Sequence, residues 1–381
     1  MTRRAPAARA PARRDDAATP QGTRRFADRL GDALPPGFFR ALPGEGAAAS
    51  GDLHASSIGL GTYLGACDDA DDARYADAAA HAIARGVNVL DTAIIYRCMR
   101  SERAVGEAIR RAIEAGHARR DELVVCTKGG YVALDGAPPE SREAYHAYLE
   151  ERFLGPGLME PGDLVAGGHS LAPRFLEDQI ATSLANLGLR TIDVYYLHNP
   201  EQQLDAVQPA RFRTIVRRAF TVLEERVAAG DIGCYGCATW NGLRAPPDAR
   251  HHLDLSELVA IAREVGGDGH HFRVVQMPVN LAMSEAARLP TQRMSGGRVV
   301  PALQAAAELG LAVVASASLM QAQLAAGLPP AVRDAFPELE TDAQRAIAFV
   351  RALPGVRVAL AGMRSTAHVD ENLGAARAEA P

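Results

Sequence analysis

Residues 86–96 read GVNVLDTAIIY. Gly86 stops a helix, and Val87, Val89 and Leu90 make a short apolar run rich in β-branched side chains. That is the pattern of a strand buried on both faces as it leaves a helix–loop–strand junction. The run ends in Asp91, and Tyr96 follows five residues later. A carboxylate at the end of a buried strand is costly unless a cation meets it. The rest of the chain therefore has to supply that cation.

The same unit recurs on both sides. Upstream, Ile58–Tyr63 (IGLGTY) reads as a strand and turn, and Asp71–Arg85 as a helix of good formers rich in Ala. Downstream, Ser101–Glu114 is a predicted helix, with Ser101 as its cap and Glu102 in its first turn. Leu123–Thr127 (LVVCT) is a strand running into Lys128-Gly129-Gly130. The helix Pro173–Leu187 precedes the strand Ile192–Leu197, which ends in His198. The helix Ala210–Ala229 precedes the strand Ile232–Ala238, and the helix Leu255–Val265 precedes Phe272–Met277, which contains Gln276. The last units are helix Val300–Leu309, strand Leu311–Ala315, helix Thr341–Leu353, strand Val356–Ala361 and helix Ala367–Ala376.

Eight apolar strands, each followed by a helix, predict a parallel sheet. Eight units in about 320 residues match a closed (β/α)8 TIM barrel with two long loop insertions. The rival is an open doubly wound sheet, suggested by Gly59-x-Gly61-x-x-x-Gly65. Its third Gly is one position late for a dinucleotide fingerprint, and Asp91 lies thirty residues after Gly61 rather than about twenty. The barrel is preferred.

Two stretches break the rhythm. Tyr131–Ser170 is too long for an ordinary connection and reads as an insertion over one end of the domain, helical at Ser141–Phe153. Asn280–Arg298 is the second long loop. Residues 1–25, rich in Ala, Arg and Pro, are expected to form a disordered tail. Residues 26–50, with Phe26, Leu30, Leu34, Phe38, Phe39 and Leu42, are expected to pack as an arm on a barrel spanning 51–381. The substrate pocket is expected to be built from the two long loops and this arm.

Composition narrows the partners. The chain has 381 residues, a formal charge of −5 and 48% hydrophobic residues. Mild acidity argues against nucleic acid. No run of eighteen apolar residues exists, so no membrane span is expected. Arg3-Arg4 has no apolar stretch after it, so export is not expected either. Five scattered cysteines suit a reducing cytoplasm. Cys234 and Cys237 have the spacing of a zinc or redox pair, but on a strand they point to opposite faces, and no second pair completes a metal site. His251-His252 and His270-His271 fall away from strand ends, which argues against a metal-dependent hydrolase.

In a TIM barrel the carboxyl ends of the strands share one mouth. Those ends bring together Asp91 with Tyr96, Lys128, His198, Gln276 and Ser316. Singly, they read as an ion pair, a rim aromatic and a core histidine. Jointly, they describe a site. A tyrosine holds its proton to about pH 10, and bringing it near 7 takes about 4 kcal/mol of phenolate stabilisation. A lysine within reach favours the anion. Asp91 would keep Lys128 charged, Tyr96 would act as general acid, and His198 would orient the oxygen being protonated. Such a site protonates a carbonyl oxygen as hydride reaches the carbon.

The segments GLGTY (59–63), DTAIIY (91–96), SERAVGEAI (101–109), CTK (126–128), IDVYYLHNP (192–200), CYGCATWNG (234–242), VVQMPVN (274–280) and AGMRSTAHVDENL (361–373) resemble the aldo-keto reductase superfamily over about residues 55–378. The resemblance implies a (β/α)8 barrel that binds NADPH, or less often NADH, without a Rossmann fold and reduces a small-molecule aldehyde or ketone. Carried over by position, Tyr96 is the proton donor, Lys128 and Asp91 its tuning pair, and His198 the orienting group. Gly61, Thr62 and Tyr63 match the segment beside the nicotinamide, and Gln276 matches the residue bonded to its carboxamide.

Other positions depart from the family pattern. Ala238-Thr239 stands where the family has Ser-Asn or Ser-Thr, so one carboxamide contact is missing and Thr239 keeps the other. Ser316-Ala317-Ser318-Leu319-Met320 stands where it has Tyr-Ser-Pro-Leu-Gly, so Ser316 replaces a stacking ring while Leu319 is kept. Losing that stack costs on the order of 1 kcal/mol. Gly362-Met363-Arg364-Ser365 opens the last helix, where backbone N–H groups suit a phosphate and Arg364 suits the adenosine 2′-phosphate. Glu371 and Asn372 match an adenine-contacting pair. Arg97-Cys98-Met99-Arg100-Ser101-Glu102 replaces Gly-x-Gly-Arg-Ser-Glu, so Arg97 either reaches an anionic substrate or points to solvent. A nicotinamide-binding regulatory barrel with little turnover is the second reading.

Overall fold

The computed structural model describes residues 16–43 and 51–378. A helix, α1 (Pro20–Leu30), and an antiparallel hairpin of β1 (Phe39–Leu42) and β2 (Leu53–Ser56) precede eight strands that close into a parallel barrel. In chain order these are β3 (Ile58–Gly61), β4 (Val89–Asp91), β5 (Val124–Gly129), β6 (Ile192–His198), β7 (Ile232–Ala238) and β8 (Phe272–Pro278). A small antiparallel ribbon, β9 (Pro290–Arg293) and β10 (Val299–Pro301), intervenes before β11 (Ala312–Ser316) and β12 (Val356–Gly362). Every barrel strand pairs with its neighbour in parallel, and β12 closes the ring on β3.

The outer layer comprises α2 (Asp69–Ala84), α3 (Arg100–Glu114), α5 (Pro173–Leu187), α6 (Pro209–Ala228), α7 (Leu255–Gly266), α9 (Ala302–Glu308), α11 (Asp342–Ala352) and α12 (Thr366–Leu373). Three further helices, α4 (Arg142–Leu149), α8 (Glu285–Arg288) and α10 (Pro330–Ala335), lie in connections. The expected strands are all present, with ends shifted by no more than two residues. Strand side chains alternate between two cores. Val89, Val124, Val194, Cys234, Val274, Val314 and Val358 fill the barrel, whereas Leu90, Val125, Tyr195, Tyr235, Val275 and Val313 face the helices. Cys234 and Cys237 accordingly belong to different layers.

The amino-terminal segment departs from expectation. Residues 1–15 and 44–50 lie outside the described residues, but 20–25 are helical rather than part of a disordered tail. Pro20 occupies the first turn, and Thr19 caps it by accepting from the Gly22 N–H. Phe26 is fully buried, and Arg25 and Arg29 pair with Asp121 and Glu122. Leu42, Leu53 and Ala55 of the hairpin join the barrel interior. Ser56 and Asn88 bond reciprocally where β4 begins, so the hairpin closes the amino end of the barrel. The described residues of the arm therefore sit opposite the mouth and are not part of the cavity wall.

Neither long loop builds the pocket as expected. Residues 131–170 do contain α4, capped by Ser141, and a short π-turn at Glu150–Leu154. Leu149, Phe153 and Met159 pack on Phe175 of α5, and Tyr131 alone of this insertion reaches the mouth. In the second loop the buried Gln292 accepts from the Leu255 N–H and donates to the Leu243 and Leu253 carbonyls. Those bonds hold the ribbon against the helical layer. A buried side-chain amide needs partners, and Gln292 finds its partners away from the mouth.

One glycine is dictated by the barrel itself. A Cβ on Gly236 would lie 1.7 Å from the Val274 carbonyl oxygen, where the β7–β8 register shifts. Backbone cannot yield as a side-chain tip can. Gly236→Ala is expected to lower unfolding free energy by roughly 3 kcal/mol, measured by urea denaturation. A loss under about 0.5 kcal/mol, the scale of a surface change, would contradict the close approach.

Candidate active site

Asp91 ends β4, Lys128 lies near the end of β5, His198 ends β6 and Gln276 lies on β8. The strand ends bring the four side chains together, as expected. Lys128 is buried and donates from Nζ to Asp91 Oδ1 (2.5 Å) and the Thr92 carbonyl (2.8 Å). Across the barrel, Gln276 Nε2 donates to the other carboxylate oxygen, Asp91 Oδ2, at 2.7 Å. The ion pair thus has both ends satisfied, which a buried pair requires. Burial is the largest influence on the Lys128 pKa and pulls it down, but the Asp91 charge and hydrogen bond together with the neighbouring Tyr96 raise it more, so the ammonium stays charged.

Tyr96 reaches this pair from the turn after β4. Its ring centroid is 5.0 Å from Lys128 Nζ, close enough for the ammonium charge to favour the phenolate. The expected lowering of the phenol toward neutral is not the net result. Burial is the largest influence, with the Asp91 charge adding to it, and together they outweigh Lys128 and hold Tyr96 above 10. The phenol therefore keeps its proton at rest.

His198 stands edge-on to Tyr96, with ring centroids 5.9 Å apart and planes at 80°. Tyr131 packs against its other side at 5.0 Å. Burial, and then the Lys128 charge, push His198 well below 6.5, so the imidazole is neutral. Its Nδ1 is buried without a partner. A bare donor there would cost more than an unused lone pair, so the proton belongs on Nε2.

His169 supports this arrangement from behind. Gln203 Nε2 donates to His169 Nδ1 at 2.7 Å, which leaves His169 Nε2–H to donate to the His198 carbonyl at 2.9 Å. Burial holds His169 down to about 4. The unfolded chain takes up this proton near 6.5, so between 6.5 and about 4 it binds more protons than the folded chain and acid favours unfolding. This one group should cost about 3 kcal/mol by pH 4. Urea midpoints from pH 7 to 4 should fall more steeply for the wild type than for His169→Gln. Equal slopes would contradict the assignment.

The cluster forms part of the wall of a cavity of about 730 Å³. Gly61, Thr62, Tyr63, Thr239, Gln276, Ser316, Leu319, Gly362 and Arg364 also line it. Glu371 and Asn372 are outside its wall, and Asn372 is buried. Arg364 is half exposed at the entry to α12, with Nη1 3.7 Å from Asp71 Oδ2. Ser365 caps that helix by accepting from the His368 N–H. The hydroxyls of Thr239 and Ser318 are buried without partners at this wall. Ser318, Tyr131 and Trp240 were not among the expected site residues. Trp240, the one tryptophan, stands just after a strand end and is 44% exposed, which was the signal available for it.

Of the two readings of Arg97, the structure excludes the solvent-facing one; Arg97 lies on the cavity wall. It is buried, donates from Nε to the Ala66 carbonyl at 2.7 Å, and pairs through Nη2 with Asp72 at 2.6 Å. It clasps the β3–α2 loop. Ser101 does not cap α3. Met99, in the left-handed region at φ 65°, occupies the cap position, and the Ser101 hydroxyl donates to the Thr62 carbonyl at 2.9 Å. That bond ties α3 to the end of β3.

Residues 57–250, just over half of the chain, match the aldo/keto reductase family. A curated relative, the NADH-specific methylglyoxal reductase of Escherichia coli K12, is 28% identical over 212 residues. The chain spans about half the length of that relative, 54% of each protein being aligned. Among solved structures, an aldo/keto reductase from Klebsiella pneumoniae in complex with NADP and acetate superposes with a TM-score of 0.56 at 22% identity, covering 86% of this chain and 88% of that one. An aldo-keto reductase from Bacillus halodurans, in its holo form, gives 0.57 at 20% identity, covering 90% and 91%. These two show a shared fold. With the family match extending from β3 past β7, through Asp91, Tyr96, Lys128 and His198, the chain belongs to the aldo/keto reductase family.

Proposed function

We propose that this protein reduces the carbonyl group of a small aldehyde or ketone, with a nicotinamide dinucleotide as hydride source. The observation that carries this reading is the buried Asp91–Lys128 pair, with its ammonium 5.0 Å from the Tyr96 ring centroid at a cavity wall and neutral His198 beside it. The unpartnered Thr239 and Ser318 hydroxyls supply polar contacts for a bound cofactor, and Gln276 Oε1 is left to accept while its Nε2 holds Asp91. Gly61, Thr62 and Tyr63 would flank the nicotinamide, and Ser316 and Leu319 would lie along the cofactor. Gly362 and Arg364 would take its phosphate end, which favours NADPH. Glu371 and Asn372 would contact adenine only from beyond the cavity wall. When bound, the cofactor supplies hydride to the carbonyl carbon.

The residues handle the proton. His198 Nε2–H donates to the carbonyl oxygen and orients it toward Tyr96. Tyr96, held protonated by burial, gives its proton as that oxygen becomes an alkoxide, a stronger base than phenolate. The Lys128 charge then stabilises the phenolate, and Asp91 and the Thr92 carbonyl keep its ammonium in place. The expected role of Tyr96 survives the upward shift, because a donor has to hold its proton until the oxygen needs it.

Fluorescence titration with NADPH and NADH, followed by a carbonyl panel that includes anionic and sugar-like substrates, tests the proposal. Tight binding and carbonyl-dependent cofactor oxidation are expected. Binding without turnover across the panel would instead favour a regulatory barrel, which the missing ring at Ser316 would suit.

A further inference from the structure

Two cysteines outside the catalytic cluster face each other across the first two β–α loops. Cys67 lies between β3 and α2 and is half-buried, whereas Cys98 lies two residues after Tyr96 and is buried. Their sulfurs are 3.0 Å apart although 31 positions separate them in the chain. A disulfide needs about 2.05 Å, so a movement of about 1 Å would join them. Arg97, Cys98 and Met99 have φ values of 49°, 55° and 65°. Consecutive non-glycine residues stay in the left-handed region only when their surroundings hold them there. Here the holders are the Arg97 bonds to Ala66 and Asp72, which draw together the two segments that bear the sulfurs.

We propose that Cys67 and Cys98 are a site of reversible oxidation, forming a disulfide that ties the turn bearing Tyr96 to the loop bearing Tyr63 and Leu64 and so controls the cavity. The oxidant is a hydroperoxide. Cys67, the more exposed, attacks a peroxide oxygen as its thiolate; the O–O bond breaks, and the departing hydroxide is protonated to water. Cys67 is then a sulfenic acid. The Cys98 sulfur displaces the hydroxyl from Cys67, and the Cys98 proton leaves with it as a second water. Two thiols and one hydrogen peroxide give one disulfide and two waters. Burial pushes the Cys98 thiol up to about 12, which assigns the first step to Cys67. An added dithiol reverses the reaction by exchange.

The cross-link does not depend on the proposed activity, but its effect on turnover rests on that reading, so two readouts are kept apart. After the intact protein is treated with hydrogen peroxide, alkylation and peptide mass spectrometry should find Cys67 joined to Cys98, with the other three thiols still alkylatable. Cys98→Ser should leave Cys67 as a sulfenic acid that dimedone traps. Finding both cysteines alkylated, or Cys67 oxidised while Cys98 stays free in the wild type, would overturn the cross-link. In the oxidised protein, turnover or NADPH affinity should fall at least threefold and recover with dithiothreitol, and Cys67→Ser should abolish this response. A mapped disulfide that changes neither turnover nor affinity would overturn the control.

Discussion

Tyr96→Phe should lower carbonyl turnover by roughly 10²- to 10⁴-fold, the usual contribution of a positioned proton donor, while NADPH affinity stays within twofold. The substitution removes one oxygen and leaves the ring, so the edge-on packing with Tyr63 (5.1 Å between centroids) and His198 is kept. Because the lost interaction serves only the transition state, kcat and kcat/KM should fall together. Steady-state kinetics with any carbonyl that the wild type reduces, beside a cofactor titration, would measure both. Turnover within tenfold of wild type would remove Tyr96 from the reaction.

Lys128→Met should be nearly as severe for turnover and also destabilise the fold. It strips the cation from a carboxylate that is 3% exposed, leaving only the Gln276 amide on Asp91. Breaking a buried pair from one side costs about 3–5 kcal/mol. The double variant Asp91→Asn/Lys128→Met separates the two effects. With the stranded charge gone, urea denaturation should recover most of the lost stability. Turnover should not recover, because no ammonium is left to receive the phenolate. If the double variant regained activity, the Lys128 charge would have no part in proton transfer.

The alternation of strands and helices was readable because strands buried on both faces are spelled as short apolar runs, and β3–β8, β11 and β12 all follow that spelling. Strand ends then named Asp91, Lys128, His198 and Gln276 in one step, since a barrel's topology sends those ends to one mouth. What escaped were features set by partners far away in the chain. Helix α1 begins at Pro20 because Arg25 and Arg29 meet Asp121 and Glu122, more than ninety positions on. Nothing within residues 1–25 announces those carboxylates. Arg97 was open to two readings, and neither included the Ala66 and Asp72 contacts that occupy it.

The periodicity and order of its residues thus decided this protein's barrel and the membership of its polar cluster, because both follow from local pattern and chain direction. Three-dimensional packing decided the rest: which end the hairpin closes, which loops stay clear of the mouth, and whether Tyr96 sits above or below its ordinary pKa. Desolvation and Coulomb attraction oppose each other at that phenol, and their balance depends on distances and burial that no linear spacing contains.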